Sequence, residues 1–371
     1  MRTSDFDYNL PLELIAQTPL EPRDSSRLLV MRRDSGRLEH RGFGDLLEYL
    51  RAGDLMVFNQ SRVLPARLHG HREDTGGKVE LLLLHRESPG VWRALAKPGR
   101  RLRMGVRIIL EPPKGEKSPL AALPKGGNYE GVIAEILDSH PDGIKTIRFD
   151  SEDEIAGLGE MPLPPYIHQA LTDLERYQTV YSKDPGSAAA PTAGLHFTQE
   201  LLDKIKGVGV ELAFVTLHVG LDTFRPVQDE DPTNHQIHTE YFHISHDAAK
   251  AINNAKQEFR RVIAVGTTSV RVLEYAAQVA AAGGINRGMS QIAQSSGQAD
   301  LFILPGYRFR IVDALITNFH LPRSTLLMLV SAFAEDGPST SSGRDMVLAA
   351  YAEAIQQQYR FYSFGDGMLV V

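Results

Sequence analysis
Four apolar segments in this chain each run directly into a polar turn. D-L-M-V-F leads into residues 59–62 (N-Q-S-R), and V-E-L-A-F-V leads into residues 216–218 (T-L-H). R-V-I-A-V leads into residues 266–268 (G-T-T), and D-A-L-I leads into residues 317–320 (T-N-F-H). The last two turns are followed by the helical runs V-R-V-L-E-Y-A-A and S-T-L-L-M-L-V-S-A-F-A. Strand, polar turn, helix is the grammar of an α/β sheet packed by helices. In such sheets the polar ends of the strands can share one edge and line one pocket. Gly266, Thr267 and Thr268 also stand at a helix start, where free N–H groups and the helix dipole favour a polar or anionic ligand. The turn is not the G-x-G-x-x-G dinucleotide fingerprint.

Residues 69–150 read differently. K-V-E-L-L-L-L, V-W-R-A-L-A, R-I-I-L, G-V-I-A-E-I-L and G-I-K-T-I-R-F are short strands separated by Gly, Pro and charged turns, with no helical period. Five or six strands in about 80 residues predict a small antiparallel barrel or sandwich. Helical patterns on both sides make it an insertion whose ends lie close together. The expected organisation is a larger mixed α/β domain formed by residues 1–68 and 151–371, with an inserted antiparallel β-barrel domain over 69–150. A chain of 371 residues accommodates two such domains.

A third feature is residues 188–198, A-A-A-P-T-A-G-L-H-F-T. Small side chains leave the backbone bare, so a ligand can approach it. Thr198 is placed to cap the helix Q-E-L-L-D-K-I-K, which Gly207 and Gly209 end. With no cysteine, thiolate chemistry and disulfides are excluded. No signal-peptide pattern and no membrane-length apolar run is present, so a cytoplasmic protein without membrane contact is expected. The net charge of −6 argues against a general nucleic-acid binder. However, Arg86, Arg93, Lys97, Arg100, Arg101, Arg103 and Arg107 face one acid, Glu87, within residues 85–107. That segment is either a solvated face or a local phosphate contact. Residues 234–246 hold His235, His238, His243 and His246, which leaves a metal-dependent hydrolase as an alternative. A non-catalytic RNA-binding protein is the other. Residues 282–299, rich in Gly, Ser and Gln, are expected to be mobile.

Several longer motifs run in order from Asp5 to the C-terminus. They include F-D-Y-N-L-P-L-E-L-I-A-Q-T-P, F-N-Q-S-R-V-L-P-A-R-L, A-A-P-T-A-G-L-H-F-T, H-V-G-L-D-T-F, A-V-G-T-T-S-V-R, T-N-F-H-L-P-R-S-T-L-L-M-L-V-S-A-F and Y-R-F-Y-S-F-G-D-G-M-L. Together they resemble the S-adenosylmethionine:tRNA ribosyltransferase-isomerases of queuosine biosynthesis. Asp222 stands where that family usually has glycine, and Asn59-Gln60-Ser61 replaces Asn-Asn-Thr. The resemblance implies that S-adenosylmethionine is a co-substrate donating its ribosyl part, with no further cofactor and no metal. The acceptor would be 7-aminomethyl-7-deazaguanine at the wobble position of tRNA, and the products epoxyqueuosine-tRNA, adenine and methionine. A monomer is expected.

Such chemistry needs a base for a C5′ hydrogen beside the sulfonium and an acid for departing adenine, and histidine suits both. His218 is expected as the base, with His196 or His320 as the acid. Thr192, Gly194, Thr216, Gly220, Thr223, His238, Gly266, Thr267, Thr268 and Asn318 are candidates for holding the co-substrate. Arg23, Arg27, Arg62, Arg67 and Arg271 are candidates for a carboxylate or phosphates. Asn59, Phe197 and Phe319 complete the set, the rings as faces for a base.

Overall fold
The computed structural model of the chain describes residues 1–112, 131–140, 143–220, 227–235, 237, 239–282, 291–335 and 342–371. In chain order the strands are β1 (Arg27–Met31), β2 (Leu38–Gly42), β3 (Leu55–Asn59), β4 (Ser61–Val63), β5 (Arg67–Arg72), β6 (Lys78–Ser88), β7 (Val91–Lys97), β8 (Arg107–Glu111) and β9 (Ile133–Ser139). They continue as β10 (Ile144–Phe149), β11 (Asp184–Ser187), β12 (Glu211–Leu217), β13 (Glu240–Ile244), β14 (Val262–Val265), β15 (Ser295–Ala299), β16 (Ala314–Asn318) and β17 (Gly367–Val370). The helices are α1 (Ile155–Leu158), α2 (Gln199–Gly207), α3 (His246–Gln257), α4 (Thr267–Ala282), α5 (Thr325–Ala334) and α6 (Ser342–Gln356).

The chain forms two compact units. The first comprises Met1–Ser61, Pro164–Asp184 and Ala190–Val371, and the second comprises Arg62–Leu163 and Pro185–Ala189. The first unit is built on a nine-stranded mixed sheet in the order β15-β13-β12-β3-β14-β16-β17-β1-β2. β12, β3, β14 and β16 are mutually parallel. β17 is antiparallel to β16, and β13 is antiparallel to β12. Every residue of β3, β14 and β16 is buried, as expected for strands covered on both faces. Successive side chains alternate between faces. Leu28, Val30, Met56, Phe58, Ile263, Val265 and Ile316 therefore share one core with Phe43, Phe197, Leu201 and Ile205. α3 and α4 pack against the sheet at β12, β3 and β14.

The helices carry their own stop and start signals. The Thr198 hydroxyl accepts the Leu201 N–H at 3.1 Å, satisfying one orphan donor of α2. Leu201, Leu202 and Ile205 form its buried stripe, and Gly209, at φ +85°, takes the left-handed conformation that ends it. Ser245 and Ser324 cap α3 and α5 in the same way.

The second unit contains a closed barrel in the order β10-β7-β6-β5-β8-β9, all neighbours antiparallel. Its interior is filled by alternate residues such as Leu68, Leu81, Leu83, Ala94, Ile108, Leu110, Ala134, Ile136 and Ile147. The barrel's first strand, β5, begins at Arg67, two residues before the expected 69. The two ends of the inserted segment are held together by reciprocal backbone hydrogen bonds between Arg67 and Glu160, at 2.8 and 3.1 Å.

One expectation fails in part. Residues 295–299, S-S-G-Q-A, were expected to be mobile but form β15, pairing antiparallel with β13 at the sheet edge. An edge strand can be held by backbone pairing alone, so it need show no apolar pattern. Residues 283–290 lie outside the described residues.

Candidate functional site
The strand order places the ends of β12, β3, β14 and β16 side by side. The turns after all four therefore come to one edge of the sheet. Side-chain bonds then tie these ends to one another.

Asn59 closes β3. Its amide donates to Leu217 O and its carbonyl accepts the Leu217 and Ser61 N–H groups, all at 3.0–3.1 Å. Asn59 thus extends the β3–β12 ladder by one side chain and fixes the backbone just before His218. Thr216 donates to Asp184 Oδ2 at 2.5 Å, and Gln60 donates to the same oxygen at 3.0 Å.

His218 is half-buried. Its ring stacks on Tyr241, with centroids 5.4 Å apart and planes 21° from parallel. Its buried Nδ1 has no hydrogen-bond partner. Burial lowers the imidazole pKa below the ordinary 6.5, against the opposing charge of Asp184. At neutral pH the ring is therefore neutral, with a lone pair available for a proton.

His196 is in a different state, 4% exposed and stacked on Phe43 at 4.6 Å. Asn318 Nδ2 donates to Tyr362 O and to His196 Nε2 at 3.2 and 3.1 Å, so Nε2 acts as acceptor. The remaining proton sits on Nδ1 and is donated to Ser26 Oγ at 2.8 Å. Burial, aided by the charges of Arg360 and Arg23, lowers the His196 pKa to about 3. His320 is 7% exposed, bonded through Nε2 to Thr317 at 2.7 Å, and burial lowers its pKa to about 3 as well.

These two rings predict an acid-sensitive fold. Each is neutral when folded and titrates near 6.5 when unfolded, so between about pH 3 and 6.5 the unfolded chain binds more protons. Stability is complete above pH 6.5. It falls on acidification by up to about 1.4 kcal/mol per pH unit for each ring. Urea titrations at pH 7 and pH 5 should show this loss, and an unchanged midpoint would contradict the neutral buried state of both rings.

Gly266, at φ +89°, makes the turn from β14 to α4, and its N–H donates to Ile316 O at 2.8 Å. Thr267 is buried in the first turn of α4, and the buried Thr268 hydroxyl has no partner. One turn further along α4, Arg271 forms a buried ion pair with Glu240 of β13. The other Glu240 oxygen accepts the Gly220 N–H at 2.8 Å. Arg271, expected to hold a ligand anion, instead bonds an internal carboxylate that clamps the loop after His218. Glu240→Ala would strand that guanidinium in the interior, at a cost of about 3–5 kcal/mol. Glu240→Gln, which keeps an acceptor for Gly220, should cost less. Chemical unfolding of the two variants distinguishes them.

Other candidates are occupied within the fold. Arg23 donates to the carbonyls of Gln178, Glu175 and Leu195. Arg27 donates to Gln357 O and lies 3.6 Å over the Tyr359 ring. Phe197 is fully buried, edge-on to Phe43 and Phe58, and Phe319 is fully buried among Tyr351, Tyr359 and Phe361. Neither ring has a face for an incoming base. They were expected as such faces because an aromatic residue next to a histidine looks the same in sequence whether it is core or platform.

Gly194 lies under Tyr181. A Cβ there would stand 2.0 Å from the tyrosine hydroxyl, so the missing side chain makes room for the protein's own ring. Thr192 is half-buried in the same short turn. Arg62 and Arg67 belong to the second unit, as do Ala188 and Ala189. Thr223, Asp222 and His238 lie outside the described residues.

The described histidines of 234–246, His235, His243 and His246, do not converge. His235 faces Asp229 at 3.9 Å, His243 lies on β13, and His246 opens α3 beside Asp247. Among the described residues no group of three or more His, Asp or Glu side chains is arranged to hold a metal ion. No helix among them is long and apolar enough to cross a membrane.

Asp184, Tyr241 and Glu240 carry no motif of their own, and sequence reasoning missed them. Glu240 did leave a signal. In T-E-Y-F-H-I it shares the inward face with Phe242 and Ile244, and a buried acid requires a cationic partner.

Comparison with known proteins agrees with this architecture. A family model described as queuosine biosynthesis protein matches residues 3–370. Proteins of Dehalococcoides mccartyi (strain CBDB1) and Symbiobacterium thermophilum are each 52% identical over 371 residues, covering all of both chains. A Clostridioides difficile protein is 49% identical over 374 residues, again over full length. All three are named S-adenosylmethionine:tRNA ribosyltransferase-isomerase. The crystal structure of the S-adenosylmethionine tRNA ribosyltransferase from Thermotoga maritima aligns with a TM-score of 0.53 at 36% identity, covering 99% of this chain and all of that one. A match over almost the whole length, with relatives at half identity, makes this chain a member of the queuosine biosynthesis protein family.

Proposed function
We propose that the chain is an S-adenosylmethionine:tRNA ribosyltransferase-isomerase. It transfers and isomerises the ribosyl moiety of S-adenosylmethionine onto the aminomethyl group of 7-aminomethyl-7-deazaguanine at the tRNA wobble position. Epoxyqueuosine-tRNA, adenine and methionine are the products. The full-length relatives carry that name.

The observation that carries the mechanistic part is the contrast between His218 and the two other histidines. His218 is half-buried, with an unpartnered Nδ1 and a lowered pKa. A neutral imidazole of this kind can take the C5′ proton that the adjacent sulfonium acidifies. The imidazolium so formed can then return the proton to a ring nitrogen of the departing adenine. In this reading one histidine serves as base and then as acid. His196 and His320 stay neutral and hold the strand ends in place through Ser26, Asn318 and Thr317. Gly220, Thr267 and Thr268 border the co-substrate, with the unpartnered Thr268 hydroxyl available to a ribose oxygen.

The test is to incubate the protein with S-adenosylmethionine and tRNA bearing the aminomethyl base, and to measure adenine. Stoichiometric adenine release coupled to tRNA labelling is expected. A folded protein that releases none would overturn the proposal.

A further inference from the structure
We propose that the loop of residues 97–105 in the second unit, K-P-G-R-R-L-R-M-G, is a phosphate-contacting surface for the tRNA substrate. This rests on the tRNA reading above. What supports it is a division among the basic residues of the barrel.

Five arginines on the strands, Arg72, Arg86, Arg93, Arg107 and Arg148, are each paired with a carboxylate. Arg86 makes a two-point ion pair with Glu152 at 2.5 and 2.7 Å. Arg93 pairs with Glu87 at 2.5 Å, Arg107 with Glu73 at 3.2 Å, and Arg148 with Glu135 at 2.5 Å. The loop differs. Arg100, Arg101 and Arg103 are exposed and make no ion pair among the described residues. Lys97 touches Glu80 only at 4.0 Å, and the segment contains no acid.

The loop is also held in shape. Leu102 is fully buried in the barrel core, which drives its neighbours Arg101 and Arg103 outward. Arg101 N–H donates to Pro98 O, Val106 N–H to Arg103 O and Gly105 N–H to Ile136 O, at 2.8–3.2 Å. Met104, 71% exposed, lies beside the arginines and offers an apolar contact to a base or ribose. Three unpaired guanidiniums on an anchored turn, in a protein of net charge −6, suit local contact with a polyanion.

The test measures tRNA affinity of the full-length protein as a function of salt. Wild type is compared with R100Q/R101Q/R103Q, with R100K/R101K/R103K, and with R86Q/R93Q as a paired-arginine control. The glutamine triple variant should bind more weakly, and its log–log salt slope should be shallower by about 2 to 3. Equivalently, the wild-type advantage should shrink roughly 30-fold between 50 and 200 mM salt. The lysine triple variant should keep the wild-type slope, as should R86Q/R93Q. An unchanged slope in the glutamine variant, with wild type binding tRNA, overturns the loop assignment alone. A wild-type protein that binds no tRNA overturns the tRNA reading and this inference with it.

Discussion

His218→Ala is expected to lower kcat for adenine release by about 10²- to 10⁴-fold, the usual contribution of a positioned proton-transfer group. S-adenosylmethionine binding should change far less, because the ring's proposed task lies in the reaction and not in holding the ligand. The pH profile gives an independent readout. A base acts in its neutral form, so activity is lost as pH falls through its pKa. Burial lowers that pKa below 6.5 and the Asp184 carboxylate partly offsets the shift. The acidic limb of kcat/KM should therefore have its midpoint below 6.5, and Asp184→Asn should move it lower still. Near-normal turnover in His218→Ala, or an acidic limb above 6.5, would remove His218 from the role of base.

Gly194→Ala is expected to destabilise the turn that carries His196. The added Cβ would lie 2.0 Å from Tyr181 Oη and 2.8 Å from Thr179 Cγ2. Tyr181 cannot step aside cheaply, since its ring is wedged edge-on to Phe58 at 5.0 Å and against Phe214 at 5.6 Å. Overpacking of this kind costs about 1–3 kcal/mol. The strain falls two residues from His196, whose bonds to Ser26 and Asn318 require the present backbone position. Adding Tyr181→Phe removes the closest contact, and the buried hydroxyl it deletes has no partner to lose. Part of the lost stability should therefore return in the double variant, so that the two substitutions are not additive. A Gly194→Ala protein as stable as wild type would show that the turn has room to spare.

The two units were legible to different degrees. The barrel strands showed as short apolar runs between turns, yet β5, R-L-H-G-H-R, did not. It is polar at alternate positions, and its bare Gly70 lets β8 approach, with Ile109 O only 2.3 Å from where a Cβ would be. In the sheet, the all-buried strands β3, β14 and β16 and the cap Thr198 follow from local pattern, whereas Ser324, which caps α5, reads in sequence as part of that helix's first turn. β2 and β15 are edge strands held by backbone pairing, which composition does not encode.

The residues 188–198 illustrate the remaining limit. Their small side chains suggested space for a ligand, whereas Gly194 makes space for Tyr181 and His196 is locked between Ser26 and Asn318. These partners are 170 and 122 residues away in the chain.

By itself the sequence determined the apolar strands and the amphipathic helices, the cap and glycine stop of α2, and that four strands end in polar turns. Hydrophobic period, capping chemistry and glycine freedom act over a few residues, so the order of residues is enough to specify them. Only the tertiary structure decided that β12, β3, β14 and β16 are neighbours and that Glu240 is paired with Arg271. It alone separated three similar histidines into two sealed neutral rings and one with a lone pair to spare. A proton's affinity for an imidazole depends on the dielectric and charges within a few ångströms, and those are supplied by residues the chain brings in from far along its length.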